Sequence, residues 1–196
     1  MKLLVIAGFL GSGKTTVLLD LARRLTGDGL SLAIVENEIG EVGVDGEVVR
    51  HHGLPVREIF GGCICCTLQT GLVETLRSIE AEFAPDYAVV EPTGLAAPGD
   101  VVATVRELMP GLEHIKIVTL VDAERWEMLW EVVEPLVTAQ LEAADVVAVN
   151  KVDAAAPEAT AAARETVRRL NATAPVLDTD AASGAGLAAL YAAVRA

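Results

Sequence analysis

Short, nearly continuous apolar segments occur along the chain at intervals that leave room for a helix between most of them. Six of these segments are rich in β-branched residues and predict strands, at residues 2–8, 32–37, 87–91, 115–121, 145–150 and 175–179. Strands without polar alternation are typical of a sheet that is covered on both faces. The pattern therefore predicts a mostly parallel sheet.

Segments of helical periodicity lie between these strands. One predicted helix has apolar residues spaced by four, four, three and four positions, at Leu68, Leu72, Leu76, Ile79 and Phe83. A shorter one is carried by Leu187, Leu190, Tyr191 and Val194. Strands that alternate with helices predict an α/β fold with a doubly wound sheet.

The region from Glu38 to Gly62 interrupts this alternation. It contains charged residues, histidines and several glycines but little periodicity, so we predict a long loop beside the functional site. No linker or internal repeat is evident, and 196 residues of which 52% are apolar predict one domain over residues 1–196.

Charge and composition narrow the possible partners. A formal net charge of −13 argues against a nucleic acid or an anionic membrane surface as partner and favours a metal cation. The apolar N-terminus is followed by "GSGKTT" where a signal peptide would have its cleavage site, and no apolar segment is long enough to span a membrane.

Three cysteines cannot all form disulfide bonds with one another, which favours a reducing compartment. We therefore predict a cytoplasmic protein.

The stretch "GFLGSGKT", Gly8 to Thr15, follows a predicted strand and fits the P-loop pattern. Its glycines let backbone N–H groups face phosphates, while Lys14 is expected to reach the β- and γ-phosphates and Thr15 to bind Mg²⁺. A glycine turn without a ligand is the less favoured alternative. The pattern predicts a P-loop NTPase fold.

The stretch "NKVD", Asn150 to Asp153, ends another predicted strand, where open α/β sheets bind ligands. A carboxylate at Asp153 could accept two hydrogen bonds from the N1–H and N2–H₂ edge of guanine, whereas adenine offers no such donors. The match is weak alone, since a strand-end turn often contains Asn and Asp. Together with a P-loop and the later stretch "SGAGL", it favours GTP over ATP.

A third stretch, "EPTG", begins at Glu91 after the predicted strand "YAVV". An acidic residue at this point is where P-loop proteins hold Mg²⁺ directly or through water, and Gly94 would let a backbone N–H approach the γ-phosphate. An ordinary strand-end carboxylate is the alternative interpretation.

All three cysteines, Cys63, Cys65 and Cys66, lie within four positions behind two glycines. Their thiolates could converge on one thiophilic ion such as Zn²⁺, with a fourth ligand from elsewhere. Candidates for that ligand are Glu38 or Glu41, His51 or His52, water or a partner protein, although exposed loop histidines are the favoured interpretation of the His pair. Buried apolar cysteines and a purely structural zinc site remain alternatives.

With these motifs in order, the sequence resembles the CobW-type P-loop GTPases, proposed metallochaperones related to the nickel-insertion GTPases of hydrogenase and urease. The resemblance rests on "GFLGSGKTT", on "ENEIGEVGVD" as the first switch, on "GGCICC", on "EPTGLAAP" and on Gln140 before "ADVVAVNKVD". Members of that family commonly continue into a smaller C-terminal domain, whereas this sequence ends at Ala196. We therefore expect a separate partner or a homodimer to replace that domain in metal delivery.

The resemblance implies roles for individual residues. The residues expected to bind phosphate are those of the P-loop: Gly11, Ser12, Gly13, Lys14, Thr15 and Thr16. Those expected to recognise guanine are Asn150, Lys151 and Asp153. Lys14 and Glu91 are the expected catalytic residues, and Thr15 and Glu91 the expected Mg²⁺ contacts. Transition-metal binding falls to Cys63, Cys65 and Cys66, with Glu38 or Glu41 nearby.

The function predicted from these features is a GTPase whose nucleotide state controls a site for Zn²⁺, Co²⁺ or Ni²⁺. It would serve metal insertion into a target protein or a corrinoid-type cofactor, with a metal-receiving client protein or a cofactor-assembly enzyme as its partner. It would hydrolyse GTP slowly alone because no arginine finger is identifiable. The main alternative is a GTP-dependent interaction switch with a structural zinc site. A P-loop kinase is less favoured, since no acceptor site or lid signature is visible.

Overall fold

A seven-stranded sheet forms the centre of the structure, a computed structural model that describes residues 1–36, 57–58, 68–112 and 114–196. The strands are β1 (Lys2–Gly8), β2 (Leu32–Glu36), β3 (Arg57–Glu58), β4 (Tyr87–Glu91), β5 (Ile115–Asp122), β6 (Val146–Asn150) and β7 (Val176–Thr179). Their order across the sheet is β3-β2-β4-β1-β5-β6-β7, and each neighbouring pair is parallel.

Helices connect the strands across both faces of this sheet. They are α1 (Lys14–Gly27), α2 (Leu68–Phe83), α3 (Pro98–Leu108), α4 (Trp126–Glu142), α5 (Pro157–Leu170) and α6 (Leu187–Arg195). Proline occupies the first turn of α3 and α5, where its missing N–H leaves no hydrogen bond unmade. Helix α4 is kinked, since Pro135 lies inside it and Val133 has non-helical backbone angles.

Alternate residues of β1 are buried on opposite faces of the sheet. From β1, Leu4 and Ile6 pack into a cluster with α1 and α6. Leu3 and Val5 pack into a second cluster with α2 and α3. A third cluster lies where α4 and α5 cover β6. Helices on both faces explain why the strands carry almost no polar residues.

The predicted α/β fold with a doubly wound, mostly parallel sheet is confirmed. The six predicted strands are all present and end within one residue of the expected positions. One expectation is wrong in part, because residues 38–62 were predicted to be loop throughout, yet Arg57–Glu58 forms a short strand that pairs with Ala33 and Ile34 of β2. The other residues of that segment lie outside the described ranges.

Parallel strands place their carboxyl ends at one edge of the sheet. The ends of β1, β4, β5 and β6 therefore lie side by side, with Gly8 opposite Leu120 and Asp122 opposite Asn150. From β1 the chain continues to β2 on one side of the sheet, and after β4 it crosses to β5 on the other side of β1. Ligands bind in open α/β sheets at such a switch point. In the described part of the chain, no helix is both long and apolar enough to cross a membrane.

Candidate nucleotide-binding site

The predicted phosphate-binding loop runs from Gly8, at the end of β1, to Gly13, just before α1. It passes so close to its neighbours that glycine is required at both of these positions. Gly8 has φ 139°, and a Cβ there would lie 2.5 Å from the Leu120 carbonyl oxygen. Gly13 has φ 96°, and a Cβ there would collide with Nδ2 of Asn150. Positive φ and close approach both exclude a side chain, so the loop is held against β5 and β6 by its own backbone.

Helix α1 starts at Lys14, with Gly13 as the preceding cap residue and no side chain capping its first N–H groups. A helix N-terminus with free N–H groups carries partial positive charge and suits a phosphate. The Lys14 side chain is only 7% exposed, and its Nζ lies 3.8 Å from Oε1 of Glu91. The ammonium group of Lys14 and the N-terminus of α1 therefore lie together at the expected position of the phosphates.

Thr15 and Glu91 meet at the same place. The Thr15 hydroxyl donates to the Glu91 carboxylate, with Oγ1 3.2 Å from Oε2 and 3.3 Å from Oε1. A hydroxyl and a carboxylate are the hard oxygen ligands that Mg²⁺ prefers. The two side chains that were predicted to hold Mg²⁺ thus lie in contact and fit that ion.

The segment after β4 packs directly on the phosphate-binding loop. A Cβ on Gly94 would lie 2.6 Å from the backbone nitrogen of Leu10. Gln140 of α4, 3% exposed, holds this segment from the other side, because its Nε2 donates to the carbonyls of Gly94 and Ala96 at 3.2 and 3.0 Å. The family resemblance marked Gln140 by position, but only the structure shows which groups it contacts.

Asn150 connects three parts of the site. Its Nδ2 donates to the Ser12 carbonyl at 2.8 Å, and its Oδ1 accepts from the Thr179 hydroxyl and from the backbone N–H of Ala181. Asn150 is 1% exposed, so this buried amide fixes the phosphate-binding loop relative to the loop that follows β7.

The loop after β7 is itself stabilised by hydrogen bonds. The Ser183 side chain and the backbone N–H groups of Ala182 and Ser183 hold the pKa of Asp180 below its usual range, because they stabilise the carboxylate. This loop contains the stretch "SGAGL" that was predicted to lie near the base, and it lies beside the end of β6.

The other predicted nucleotide residues lie at this edge of the sheet. Gly11 and Thr16 are exposed, Asp153 is exposed in the turn after β6, and Lys151 has the left-handed φ of 63°. Lys151 Nζ lies 2.8 Å from Oδ2 of Asp122 at the end of β5.

Asp122 also contacts Arg125, and sequence reasoning identified neither residue. A polar residue directly after a predicted strand was the available signal for Asp122, since the ends of parallel strands share one edge.

The predicted transition-metal residues lie outside the described residues. These are Glu38, Glu41, His51, His52, Cys63, Cys65 and Cys66. Among the residues that the structure does describe, no group of three or more His, Cys, Asp or Glu side chains could hold a metal ion.

Comparison with known proteins finds a matching family and several relatives. The family described as "CobW/HypB/UreG, nucleotide-binding domain" matches residues 2–178. The zinc chaperone YeiR of Escherichia coli is 34% identical over 160 residues, which cover 79% of this chain and 47% of that protein. The zinc chaperone YjiA of the same organism is 31% identical over 185 residues, 88% of this chain and 55% of that protein. The chain thus spans about half the length of these relatives.

Solved structures show the same fold. The hydrogenase maturation factor HypB of Archaeoglobus fulgidus superposes with a TM-score of 0.72 at 21% identity, over 100% of this chain and 89% of that one. The Zn(II)-bound YjiA GTPase of E. coli superposes with a TM-score of 0.62 at 26% identity, over 90% of this chain and 56% of that one.

Proposed function

Because the chain belongs to the CobW/HypB/UreG nucleotide-binding domain family, we propose that it binds and hydrolyses GTP and that its nucleotide state controls a transition-metal site. The observation that carries the nucleotide half is the convergence of Lys14, Thr15 and Glu91 at the N-terminus of α1. The metal half is supported by the relatives named zinc chaperones and by the cysteines of this chain.

At the phosphates, each side chain has a distinct role. Lys14 would neutralise charge on the β- and γ-phosphate oxygens, and the backbone N–H groups of the loop would cradle the phosphates. Thr15 and Glu91 would hold Mg²⁺, which neutralises charge that develops during phosphoryl transfer. Since catalysis of this kind is mainly positioning and electrostatic stabilisation, we expect slow hydrolysis until a partner supplies a further positive group.

Base selection is assigned to the NKVD stretch. Asn150 holds the loop, and Asp153 is exposed at its end and could accept hydrogen bonds from the guanine edge. Adenine would leave that carboxylate without donors.

The experiment for the nucleotide half is displacement of a fluorescent GDP analogue in the presence of Mg²⁺. GTP and GDP should compete and ATP should not. Asp153→Asn should weaken GTP by about tenfold or more and favour xanthine nucleotides, because the amide offers a donor where the base has a carbonyl. Lys14→Ala should abolish hydrolysis. Equal displacement by ATP and GTP would contradict guanine selection.

The metal half concerns a cargo ion that is passed to a client protein or to a cofactor-assembly enzyme. Cys63, Cys65 and Cys66 are the proposed ligands, with Glu38 or Glu41 completing the site in one nucleotide state. They lie in the chain between the first-switch stretch and Glu91, so movement at the γ-phosphate would reach them. Linkage then requires the metal to change GTP affinity by the same factor as GTP changes metal affinity.

Zn²⁺ and Co²⁺ titrations test this coupling. Wild type and a Cys63→Ser, Cys65→Ser, Cys66→Ser triple variant are each titrated with GDP and with a non-hydrolysable GTP analogue. We expect metal affinity to differ between the nucleotide states by about 5- to 150-fold in wild type. Tight zinc binding with one affinity in both states would instead indicate a structural metal site in an interaction switch.

A further inference from the structure

We propose that Arg125 is a positioning residue that holds the phosphate-binding loop in its binding-competent shape. Through Asp122, Arg125 also links that loop to the base-binding loop, which is residues 151–153 after β6. The inference rests on the proposed binding of guanine nucleotides. It adds a residue that neither the motifs nor the family resemblance identified.

The guanidinium of Arg125 lies against the phosphate-binding loop. Arg125 precedes α4, and its Nη2 donates to the Leu10 carbonyl at 2.7 Å. A Cβ on Gly11 would lie only 2.9 Å from the same nitrogen. The side chain therefore covers the outside of the loop at the peptide that joins Leu10 to Gly11.

Asp122 fixes the guanidinium in that place. The Asp122 side chain is fully buried at the end of β5, and its Oδ2 accepts from Nε of Arg125 at 2.8 Å while Oδ1 accepts from the Arg125 backbone N–H at 3.2 Å. Nη2 itself also lies 2.7 Å from Oδ2, so Nε and Nη2 both contact Asp122 while Nη2 in addition donates to Leu10. Arginine presents these donors in a rigid planar fork. Lysine has no such fork.

The same carboxylate also holds the base-binding loop. Lys151 Nζ lies 2.8 Å from Oδ2 of Asp122, and Lys151 adopts a left-handed φ of 63°, which is unfavourable for a residue with a side chain. The ion pair helps to maintain that conformation. Asp122 thus joins Arg125, which contacts the phosphate-binding loop at Leu10, to Lys151 in the base-binding loop.

The contact at Leu10 has a direct consequence for anion binding. A phosphate-binding loop turns its N–H groups towards the ligand and its carbonyls away from it. A cation on the Leu10 carbonyl polarises the peptide and strengthens its N–H, that of Gly11, as a donor.

The test measures affinities for GDP and GMP in wild type, Arg125→Ala and Arg125→Lys, by competition against a fluorescent GDP analogue with Mg²⁺. We expect Arg125→Ala to weaken GDP by about tenfold, as for one charge-assisted hydrogen bond, and GMP by much less, because GMP lacks the β-phosphate. Arg125→Lys should recover part of the loss. Arg24→Ala is the matched control, since Arg24 pairs with Asp20 on α1, ten residues beyond Lys14.

Outcomes separate this inference from the function on which it rests. If wild type does not bind GDP, the proposed function fails. If wild type binds GDP but Arg125→Ala binds it equally well, the inference fails. An equal loss of GDP and GMP affinity also overturns it, because that result indicates general damage to the site. Melting temperatures without nucleotide identify any variant that is simply misfolded.

Discussion

Gly94 shows how strongly one residue can restrict the arrangement of this site. The segment after β4 and the phosphate-binding loop are in backbone contact there, and no atom lies closer to a Cβ on Gly94 than the Leu10 nitrogen at 2.6 Å. Backbone atoms cannot move away as the end of a flexible side chain can. The distance between Glu91 and Thr15 therefore depends on Gly94 having no side chain.

Replacing Gly94 tests this dependence. Gly94→Ala should lower the free energy of unfolding by about 1–3 kcal/mol through overpacking. It should also reduce GTP hydrolysis, because Glu91 would shift relative to Lys14 and Thr15. Urea denaturation and single-turnover hydrolysis measure the two effects.

Gly71→Ala is the matched control for Gly94→Ala. Gly71 lies within α2, and a Cβ there would meet nothing within 4 Å. Alanine in a helix is more stable than glycine by about 0.5–1 kcal/mol, so this variant should be slightly stabilised with unchanged hydrolysis. If both variants behave alike, contact at Leu10 is not what requires glycine at position 94.

The motif residues were predictable because their chemistry fixes their spacing. Lys14 and Thr15 are adjacent in one motif, and Glu91 ends a recognisable strand, so their meeting required only the order of β1 and β4 in the sheet. The contact of Arg125 with Leu10 joins residues 115 positions apart and depends on the direction of a side chain. No periodicity or motif encodes such a contact.

At the scale of elements, α4 supports the segment after β4. Gln140 extends from α4 to two carbonyls of that segment, and its own carbonyl accepts from the Thr119 hydroxyl of β5 at 3.0 Å. The position of the helix is thus tied to both a strand and the segment next to Glu91. The kink in α4, at Val133 and Pro135, lies before Gln140. It therefore sets the direction of the C-terminal part of the helix, which carries Gln140.

Removing the Gln140 amide should destabilise this connection. Gln140→Ala leaves the carbonyls of Gly94 and Ala96 without their donor and should lower the free energy of unfolding by about 1–3 kcal/mol. Hydrolysis should fall as well, whereas GDP affinity should change little, since the Gln140 amide donates to the segment after β4. Glu131→Ala, at an exposed position of the same helix, is the control. Unchanged hydrolysis in Gln140→Ala would show that the segment keeps its position without α4.

Strand prediction succeeded for the six strands with apolar segments, including the edge strand β7, and failed for β3 at the other edge of the sheet. The strand β3 contains only Arg57 and Glu58, two charged residues without apolar alternation, so composition indicated a loop. Its pairing with Ala33 and Ile34 is made by the backbone, which sequence patterns do not report. Proline often ends a helix, but α4 continues past Pro135 with a kink. Residues from both halves of α4 are buried in the same hydrophobic cluster.

At the scale of the whole molecule, the net charge of −13 governs how stability responds to pH. Mutual repulsion among carboxylates destabilises the folded chain near neutral pH, and protonation relieves it as pH falls. Carboxylates that are hydrogen-bonded in the folded state act in the opposite direction. Comparison of a variant with wild type is needed to separate the two effects.

Asp86 is the carboxylate best placed for this comparison. It precedes β4, and Ser31, just before β2, donates to its Oδ2 from the backbone N–H at 2.8 Å and from the hydroxyl at 2.7 Å. These bonds, the backbone one foremost, hold the pKa of Asp86 below its usual range. They join the starts of two neighbouring strands, so they stabilise the sheet rather than the site.

Asp86→Asn should therefore reduce stability in a pH-dependent way. A carboxyl group with a lowered pKa in the folded state contributes stability above the ordinary Asp pKa, about 3.9, and that contribution is lost as pH falls through the folded-state pKa. Urea midpoints should lie below those of wild type at pH 6, and the difference should narrow once the pH falls below about 4. Glu107→Gln, which removes one exposed negative charge from α3, controls for the change in net charge. A difference between Asp86→Asn and wild type that stays constant from pH 6 to pH 3 would show that the carboxyl group of Asp86 stabilises the fold equally in its neutral and ionised forms. In that case the connection between β2 and β4 would not depend on ionisation.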